Sequence, residues 1–511
     1  MPAKVLLIII DAATPRVVCP AIRTGRLPTL QRLLEAGTLH EESVTIFPSI
    51  TPAATTSIIT GCYPSEHGIA GASWFDQARQ EVAYYGDDFW VIAREGFGEF
   101  IRDFLLHLNG DRLLAPTAFE MIERTGRRSA CLNYLVFRGL CAHQVRMPGL
   151  LAALPGVPFT ETVDGPSMLA LGDFVGPVLP HGHRLDGRSG LLHRFGMDDV
   201  ATGTMLRDLM RSGALPDFTV AYFADNDYRS HEVGPHAALP VVERVDALLG
   251  DAFEAAGGVS QVLRDTYVIL TSDHGHCEVL ADARRSVVEL DSRLAEFAQA
   301  RLGEPWRRSD DIMICPNMRA AQIYVRRPVP EIIERIASLL LADSGVEHVI
   351  WRSGLTSPGE RGYTVASGAG RLRFARRNGL AAGTPAIDTF GGQWTWDGDP
   401  AVLGMCTGNR EVSWELFPNA FERIAGLLDL EKTGEIWPTA KPGCEFRVPG
   451  GDAHVAGASH GGLHALDSLS PVLVAGPSPV TLPRHLRSLD IAPLCMQLLG
   501  LEMRYKVGDP R

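Results

Sequence analysis

Lys4-Val-Leu-Leu-Ile-Ile-Ile10, closed at once by Asp11, is a continuous apolar run ending in a carboxylate. A strand with one wet face alternates apolar and polar residues. A run that is apolar throughout suits a strand covered on both faces, as in the middle of a parallel sheet. Two further stretches repeat the design. Phe218 to Phe223 (FTVAYF) runs into Ala224-Asp225-Asn226-Asp227, and Tyr267 to Leu270 (YVIL) runs through Thr271-Ser272 into Asp273-His274. Ligands of open α/β sheets bind beyond the carboxyl ends of the strands, so three pieces of chain are expected to deliver acidic residues to one sheet edge. The fold class predicted is α/β, with a mostly parallel central sheet flanked by helices.

The intervening chain supports the alternation. Thr117 to Gly126 reads as a helix ending at glycine, Ser129 to Val136 as a strand, Ser470 to Ala475 as a late strand and Leu489 to Leu499 as a closing helix. Residues 320 to 345 read as a strand, a proline break and an amphipathic helix, which suits a smaller α/β cap inserted into the main domain. The apolar stretch Met147 to Phe159 (MPGLLAALPGVPF) is expected to pack over the core.

Composition bounds the partners. The chain has 511 residues, 45% hydrophobic and 21% charged, enough for a large core. A formal net charge of −12 argues against a long nucleic-acid groove, because phosphate backbones are bound through clustered Lys and Arg. The short clusters Arg371 to Arg377 and Arg124, Arg127 and Arg128 are expected to face solvent. No signal-peptide pattern precedes the first strand and no run of 18 apolar residues occurs, so neither export nor a membrane span is expected. Nine dispersed cysteines without a CxxC pair suit a reduced, cytoplasmic setting.

Seven residues carry the chemistry: Asp11, Thr51, Asp227, His231, Asp273, His274 and His460. Singly, each has an ordinary structural explanation, as a turn residue, a helix cap, a helix-start ion pair or a loop histidine. Together they are three carboxylates, three imidazoles and a hydroxyl, the donor set that two adjacent divalent ions and an alkoxide nucleophile require. Thr51 is followed by Pro52 and, after Ala-Ala-Thr-Thr-Ser-Ile-Ile-Thr, by Gly61, which predicts a helix with Thr51 at its N-cap. A hydroxyl there sits at the positive end of the helix, where a phosphate also binds well.

Ile-Ile-Asp11, Phe-Pro-Ser-Ile-Thr51-Pro, Thr60-Gly-Cys-Tyr-Pro64-Ser-Glu-His67-Gly-Ile69, Asp227-xxx-His231-xx-Gly234-Pro235, Asp273-His274-Gly275 and Ser-His460-Gly-Gly462 occur in order. The chain thus resembles the nucleotide pyrophosphatase/phosphodiesterase branch of the alkaline phosphatase superfamily. The resemblance covers residues 1–275 and 441–511, expected to form the catalytic core, with 276–440 as the inserted cap. It implies one zinc site from Asp227, His231 and His460, and another from Asp11, Asp273 and His274 with Thr51. Manganese or iron also suits this donor set. The implied activity is hydrolysis of a phosphodiester or pyrophosphate bond in a small molecule through a phospho-threonine intermediate. The alternatives are a phosphomonoesterase, a phosphonate hydrolase, or a metal-binding scaffold without turnover. A sulfatase would need Cys or Ser in a C/S-x-P-x-R context, which Thr51-Pro-Ala-Ala-Thr lacks. One position departs from the family pattern: Ala72 stands where diesterases carry an Asn that donates to the phosphate, and Ser73, Asn226 and Arg229 are the candidates to replace it.

Overall fold

Lys4–Ile10 (β1) forms a strand whose Leu6, Ile8 and Ile10 enter one hydrophobic core while Val5, Leu7 and Ile9 enter another. That double burial is why the run carries no polar residue. The computed structural model describes residues 3–76, 79–86, 97–149, 160–179, 190–301, 306–377 and 383–503, with the isolated positions 182, 184–185, 379–380 and 506. The other strands of the central sheet are Gly37–Val44 (β2), Ser129–Leu132 (β3), Met168–Ala170 (β4), Phe218–Phe223 (β5), Thr266–Thr271 (β6) and Leu469–Ala475 (β7). Their spatial order is β2-β7-β6-β1-β5-β3-β4. β1 lies between β6 and β5, parallel to both, and only β7 runs against its neighbours. The carboxyl ends of β1, β5 and β6 therefore meet at one edge, as the sequence predicts.

Helices cover both faces of the sheet. Pro15–Arg23, Pro28–Glu35, Asp199–Arg211 and Pro235–Ala255 pack on one, and Thr51–Thr60, Ala118–Glu123 and Ile491–Leu498 on the other. Ala118–Glu123 starts with a reciprocal cap: Glu120 N–H donates to Thr117 Oγ1 at 3.1 Å, and Thr117 N–H donates to Glu120 Oε2 at 2.9 Å. Of the stretch Met147 to Phe159, Met147 is buried in the core, and 150–159 lies outside the described residues.

A second sheet of eleven strands runs between Gln299 and Ala440. It is antiparallel except where Gln299–Ala300 meets Ile312–Asn317 and where Thr384–Asp388 meets Glu411–Trp414. The strand Ala320–Val325 and the helix Pro330–Leu341 appear as the sequence predicts. On the strand Gly370–Arg376 the arginines are paired at the surface, Arg371 with Glu334 and Arg373 with Glu360 and Asp397. Among the described residues no helix is long and apolar enough to cross a membrane. None of the nine cysteines is in a disulfide.

Candidate metal centre

Asp11 follows β1 directly, and Asp273-His274 follows β6 after Ser272. Their backbones are stitched together: Ala12 N–H donates to Asp273 Oδ1 at 3.3 Å and Ala13 N–H to Ser272 Oγ at 2.8 Å. Tyr222 of β5 donates its hydroxyl to Asp11 Oδ2, and Asn226 Nδ2 donates to Asp11 O at 2.8 Å. After β5 the chain enters the helix Asp225–Val233, which places Asp227 and His231 one turn apart on one face, His231 Nε2 lying 3.4 Å from Asp227 Oδ2. Gly234 then turns the chain into Pro235–Ala255.

Thr51 is the first residue of its helix rather than the cap before it; the extended residue ahead is Ile50. The hydroxyl points into the centre, 3.0 Å from His274 Nε2. At the other end Gly61 takes φ 67°, the left-handed turn that closes the helix.

The three imidazoles share one orientation logic. His231 Nδ1 lies 2.8 Å from Ala458 O, His460 Nδ1 2.8 Å from Ser49 O and His274 Nδ1 3.2 Å from Gly275 O. Each Nδ1–H is thus committed to a carbonyl, which fixes the orientation of the ring and turns Nε2 toward the centre. Buried Asp467, paired with Arg319, holds two of these turns. Its Oδ2 accepts from Gly462 N–H at 2.8 Å, and its carbonyl accepts from Gly275 N–H at 2.8 Å.

All seven residues singled out in the sequence come together. Asp227, His231, His276 and His460 form one group able to hold a metal ion, and Asp11, Asp227 and His274 form another; within each, ligand atoms lie within 4.8 Å of one another. Asp273 Oδ2 is 3.5 Å from His274 Nε2 beside the second group. The split differs from the implied one in that Asp227 belongs to both. The His274 and His460 rings stack at 3.7 Å between centroids, joining the groups.

His276 is a fourth imidazole that sequence reasoning did not assign. Its Nε2 lies 2.9 Å from Asp227 Oδ1. The signal was present in Asp273-His274-Gly275-His276, but alternate residues of a loop do not declare that they face one centre. His454 and Glu445 also border it, and nothing in their local sequence points there.

Charge and burial suit a bound cation. Asp11 Oδ1, Asp273 Oδ2, His231 Nε2 and His460 Nε2 are buried without a hydrogen-bond partner. Among the described residues the three carboxylates pair only with histidines. Burial, with Asp273 and Asp227 close by, pushes the Asp11 carboxyl well above its usual range. Burial also opposes charge on Asp227, but His231 and His276 outweigh it and hold that carboxyl well below the usual range. Burial likewise opposes charge on His231, and Asp227 carries it up to about 9. Burial lowers His276 to about 3 and, with His274 beside it, puts His460 well below the ordinary imidazole value. Buried carboxylate oxygens and ring nitrogens without partners, aimed at one space, are what divalent ions satisfy.

Of the substitutes considered for the Asn replaced by Ala72, Asn226 spends an amide hydrogen on Asp11 O, and Arg229 pairs with Glu232 at 2.6 Å. Ser73 keeps a buried hydroxyl without a partner.

The model of the family described as type I phosphodiesterase / nucleotide pyrophosphatase matches residues 5–386. The chain belongs to this family. Its mixed α/β fold is that of the alkaline phosphatase superfamily. Over 98–99% of the chain and 96% of theirs, the fold matches two solved members of the superfamily. An inactive form of murine ectonucleotide pyrophosphatase/phosphodiesterase 5 in complex with AMP superposes with a TM-score of 0.57 at 14% identity. Phosphonoacetate hydrolase from Sinorhizobium meliloti in complex with phosphonoformate gives 0.56 at 16%. A shorter similarity, 42% identity over 79 residues, links 16% of the chain to a 2,3-bisphosphoglycerate-independent phosphoglycerate mutase of Wolinella succinogenes. It spans 15% of that relative's length.

Proposed function

We propose that this member of the family hydrolyses a phosphodiester or pyrophosphate bond of a small molecule through a phospho-threonine intermediate on Thr51, using two divalent metal ions, zinc in preference. The observation that carries the reading is Thr51 Oγ1 standing 3.0 Å from His274 Nε2, at a helix N-terminus beside both groups of carboxylates and imidazoles. Asp227, His231 and His460 would hold one ion, and Asp11, Asp273, His274 and Thr51 the other.

The residues divide the work. His274, its Nδ1–H on Gly275 O, sets Nε2 3.0 Å from Thr51 Oγ1, so the two atoms would face the same ion, a placement that would orient Oγ1 for attack. The first turn of Thr51–Thr60 adds the positive end of a helix for the phosphoryl oxygens. Oγ1, its proton given up to water, forms a bond to phosphorus as the bond to the leaving oxygen breaks in line; water then attacks phosphorus, the bond from phosphorus to Oγ1 breaks, and Thr51 regains a proton as phosphate or its ester leaves. Bound divalent ions would lower the pKa of the hydroxyl and balance charge on the phosphoryl oxygens. Tyr222 and Asn226 fix Asp11 against the charge changes that accompany each step.

A phosphonate hydrolase is the second reading, favoured by Ala72, which donates nothing to a non-bridging oxygen. Hydrolysis of bis-p-nitrophenyl phosphate, p-nitrophenyl phosphate and phenylphosphonate esters, by wild type and Thr51→Ala after chelation and restoration of zinc or manganese, separates the cases. A metal-restored diester preference that Thr51→Ala abolishes supports the proposal. A phosphonate preference moves the chain to the second reading, a monoester preference to a phosphatase, and metal binding without turnover to a scaffold.

A further inference from the structure

Arg423 lies on the helix Ala420–Leu428, within the region expected to be an inserted cap, and is 1% exposed. Its guanidinium gathers two segments of the centre. Nη2 donates to Ile46 O at 3.1 Å, five residues ahead of Thr51, and to Gly462 O at 3.4 Å, two residues past His460. Nη1 donates to Leu463 O at 2.9 Å and to Pro418 O at 3.2 Å, and Nη2 also donates to Ser468 Oγ at 2.6 Å. All five acceptors are neutral oxygens. A buried charge that faces no carboxylate is costly, and an apolar side chain would fill the space without that penalty. What a guanidinium adds is a rigid fork that holds several oxygens at fixed distances from one another.

Apolar anchors stand on both sides of the fork. Phe47 and Leu463 are buried in the same hydrophobic cluster as Ala420, Phe421 and Ile424 of the Arg423 helix, a cluster built largely from the second sheet. Phe47 meets Trp437 edge to face at 5.5 Å between centroids. Ser49 joins the two segments directly, its Oγ donating to Gly462 O at 2.8 Å and its carbonyl accepting from His460 Nδ1–H at 2.8 Å. The segment that carries Thr51 and the segment that carries His460 are thus seated in the second sheet's core as well as on the parallel sheet.

We propose that Arg423 is a positioning residue of the reaction: it fixes the spacing between the Thr51 segment and the His460 segment, and so the line from the attacking oxygen to the group that contains His460. The inference rests on the reading of Thr51 as nucleophile and His460 as metal ligand. A shift of about 1 Å between groups that act together lowers turnover by about 100-fold, and loss of a support behind a ligand weakens metal affinity by about 10- to 100-fold. The region that holds Arg423 is then part of the catalytic scaffold and not a detachable cap.

The test uses Arg423→Met, which keeps an apolar stem and removes the donors, with Arg423→Lys as the conservative variant and Asp246→Asn as a control for stability. Asp246 accepts from Thr29 N–H at 3.0 Å and from Leu30 N–H at 2.8 Å among the helices on the other face of the parallel sheet. In zinc-loaded protein Arg423→Met should lower kcat on bis-p-nitrophenyl phosphate about 10- to 100-fold with KM within about twofold. Chelator competition should show zinc held about tenfold more weakly in the phase that His460→Ala removes and unchanged in the other. Arg423→Lys should recover part of both losses, and Asp246→Asn should keep wild-type kcat and zinc affinity despite its own loss of stability in urea. Three results would overturn the proposal: wild-type kcat and zinc affinity in Arg423→Met, a fall of the same size in Asp246→Asn at matched stability, or a raised KM with kcat unchanged. Should Arg423→Met not fold, Ser468→Ala removes one acceptor and reads the same contact by a fall in kcat of about fivefold; wild-type kcat there would overturn the proposal too. Full turnover in Thr51→Ala would defeat the nucleophile reading instead, and a zinc loss confined to the His460 phase in Arg423→Met would still stand as positioning of His460.

Discussion

The two halves of the centre are assembled from different materials. Around Thr51 the chain gathers carboxylates at strand ends, Asp11 after β1 and Asp273 after β6, fixed by the register of a sheet buried on both faces. Around Asp227 it gathers imidazoles, His231 from a helix and His276 and His460 from loops, each aimed by a single hydrogen bond. The core positions the first half. The second depends on individual contacts and has Asp227 as its one carboxylate. The difference teaches where to expect tolerance: the carboxylate half fails with the fold, the imidazole half ligand by ligand.

The largest expected effect lies in the carboxylate half. Thr51→Ala should lower turnover by about 10³-fold or more while folding and bound metal persist, read by steady-state kinetics beside metal analysis. Turnover equal to wild type would remove Thr51 from the chemistry. Asp227→Asn tests the boundary between the halves. Because Asp227 belongs to both groups, the variant should lose metal from both, by at least about 100-fold in affinity, whereas His460→Ala should empty only the imidazole half. Equal losses in the two variants would mean the halves are one site.

A third test uses pH. His231 has its pKa raised to about 9, so at neutral pH a metal must displace its proton. Zinc affinity of the imidazole half should therefore rise about tenfold per pH unit between pH 7 and about 9 and flatten above, since protons compete only below the pKa. Chelator competition at several pH values measures the slope, and a flat profile would show that His231 is not displaced. The smallest effect belongs to Tyr222→Phe, which removes the donor to Asp11 Oδ2 and should cost about 1 kcal/mol of stability in urea unfolding. A loss several times larger would mean that the carboxylate half too depends on single contacts.

The carboxylate half was the more legible in sequence. KVLLIII-Asp and YVILTS-Asp-His announce both a buried strand and the residue at its tip, because burial on two faces leaves a signature in consecutive residues. The imidazole half required the ordered motifs, since a loop histidine has no periodicity. His276 stood in plain view yet unassigned, and Glu445 and His454 reach the centre only through folding of the chain between Cys444 and Ser459. Thr51 was placed one position early, because a threonine before proline reads as a cap unless its hydroxyl has other use. The eleven-stranded sheet showed only as one strand and one helix; its strands are short and several are separated by tight turns, too little chain for an alternating pattern to stand out.

The antiparallel strand β7 has a consequence for synthesis. It occupies the slot between β2 and β6, although almost 200 residues separate it from β6 and more than 400 from β2. A ribosome can deliver β1 to β6 and still not have delivered a sheet, because until residue 475 has left the exit tunnel two strands face each other across a gap with their amide edges bare. A stop codon ahead of Leu469 thus yields no smaller enzyme. It yields an open-edged intermediate, ready to accept a strand from any neighbour that offers one.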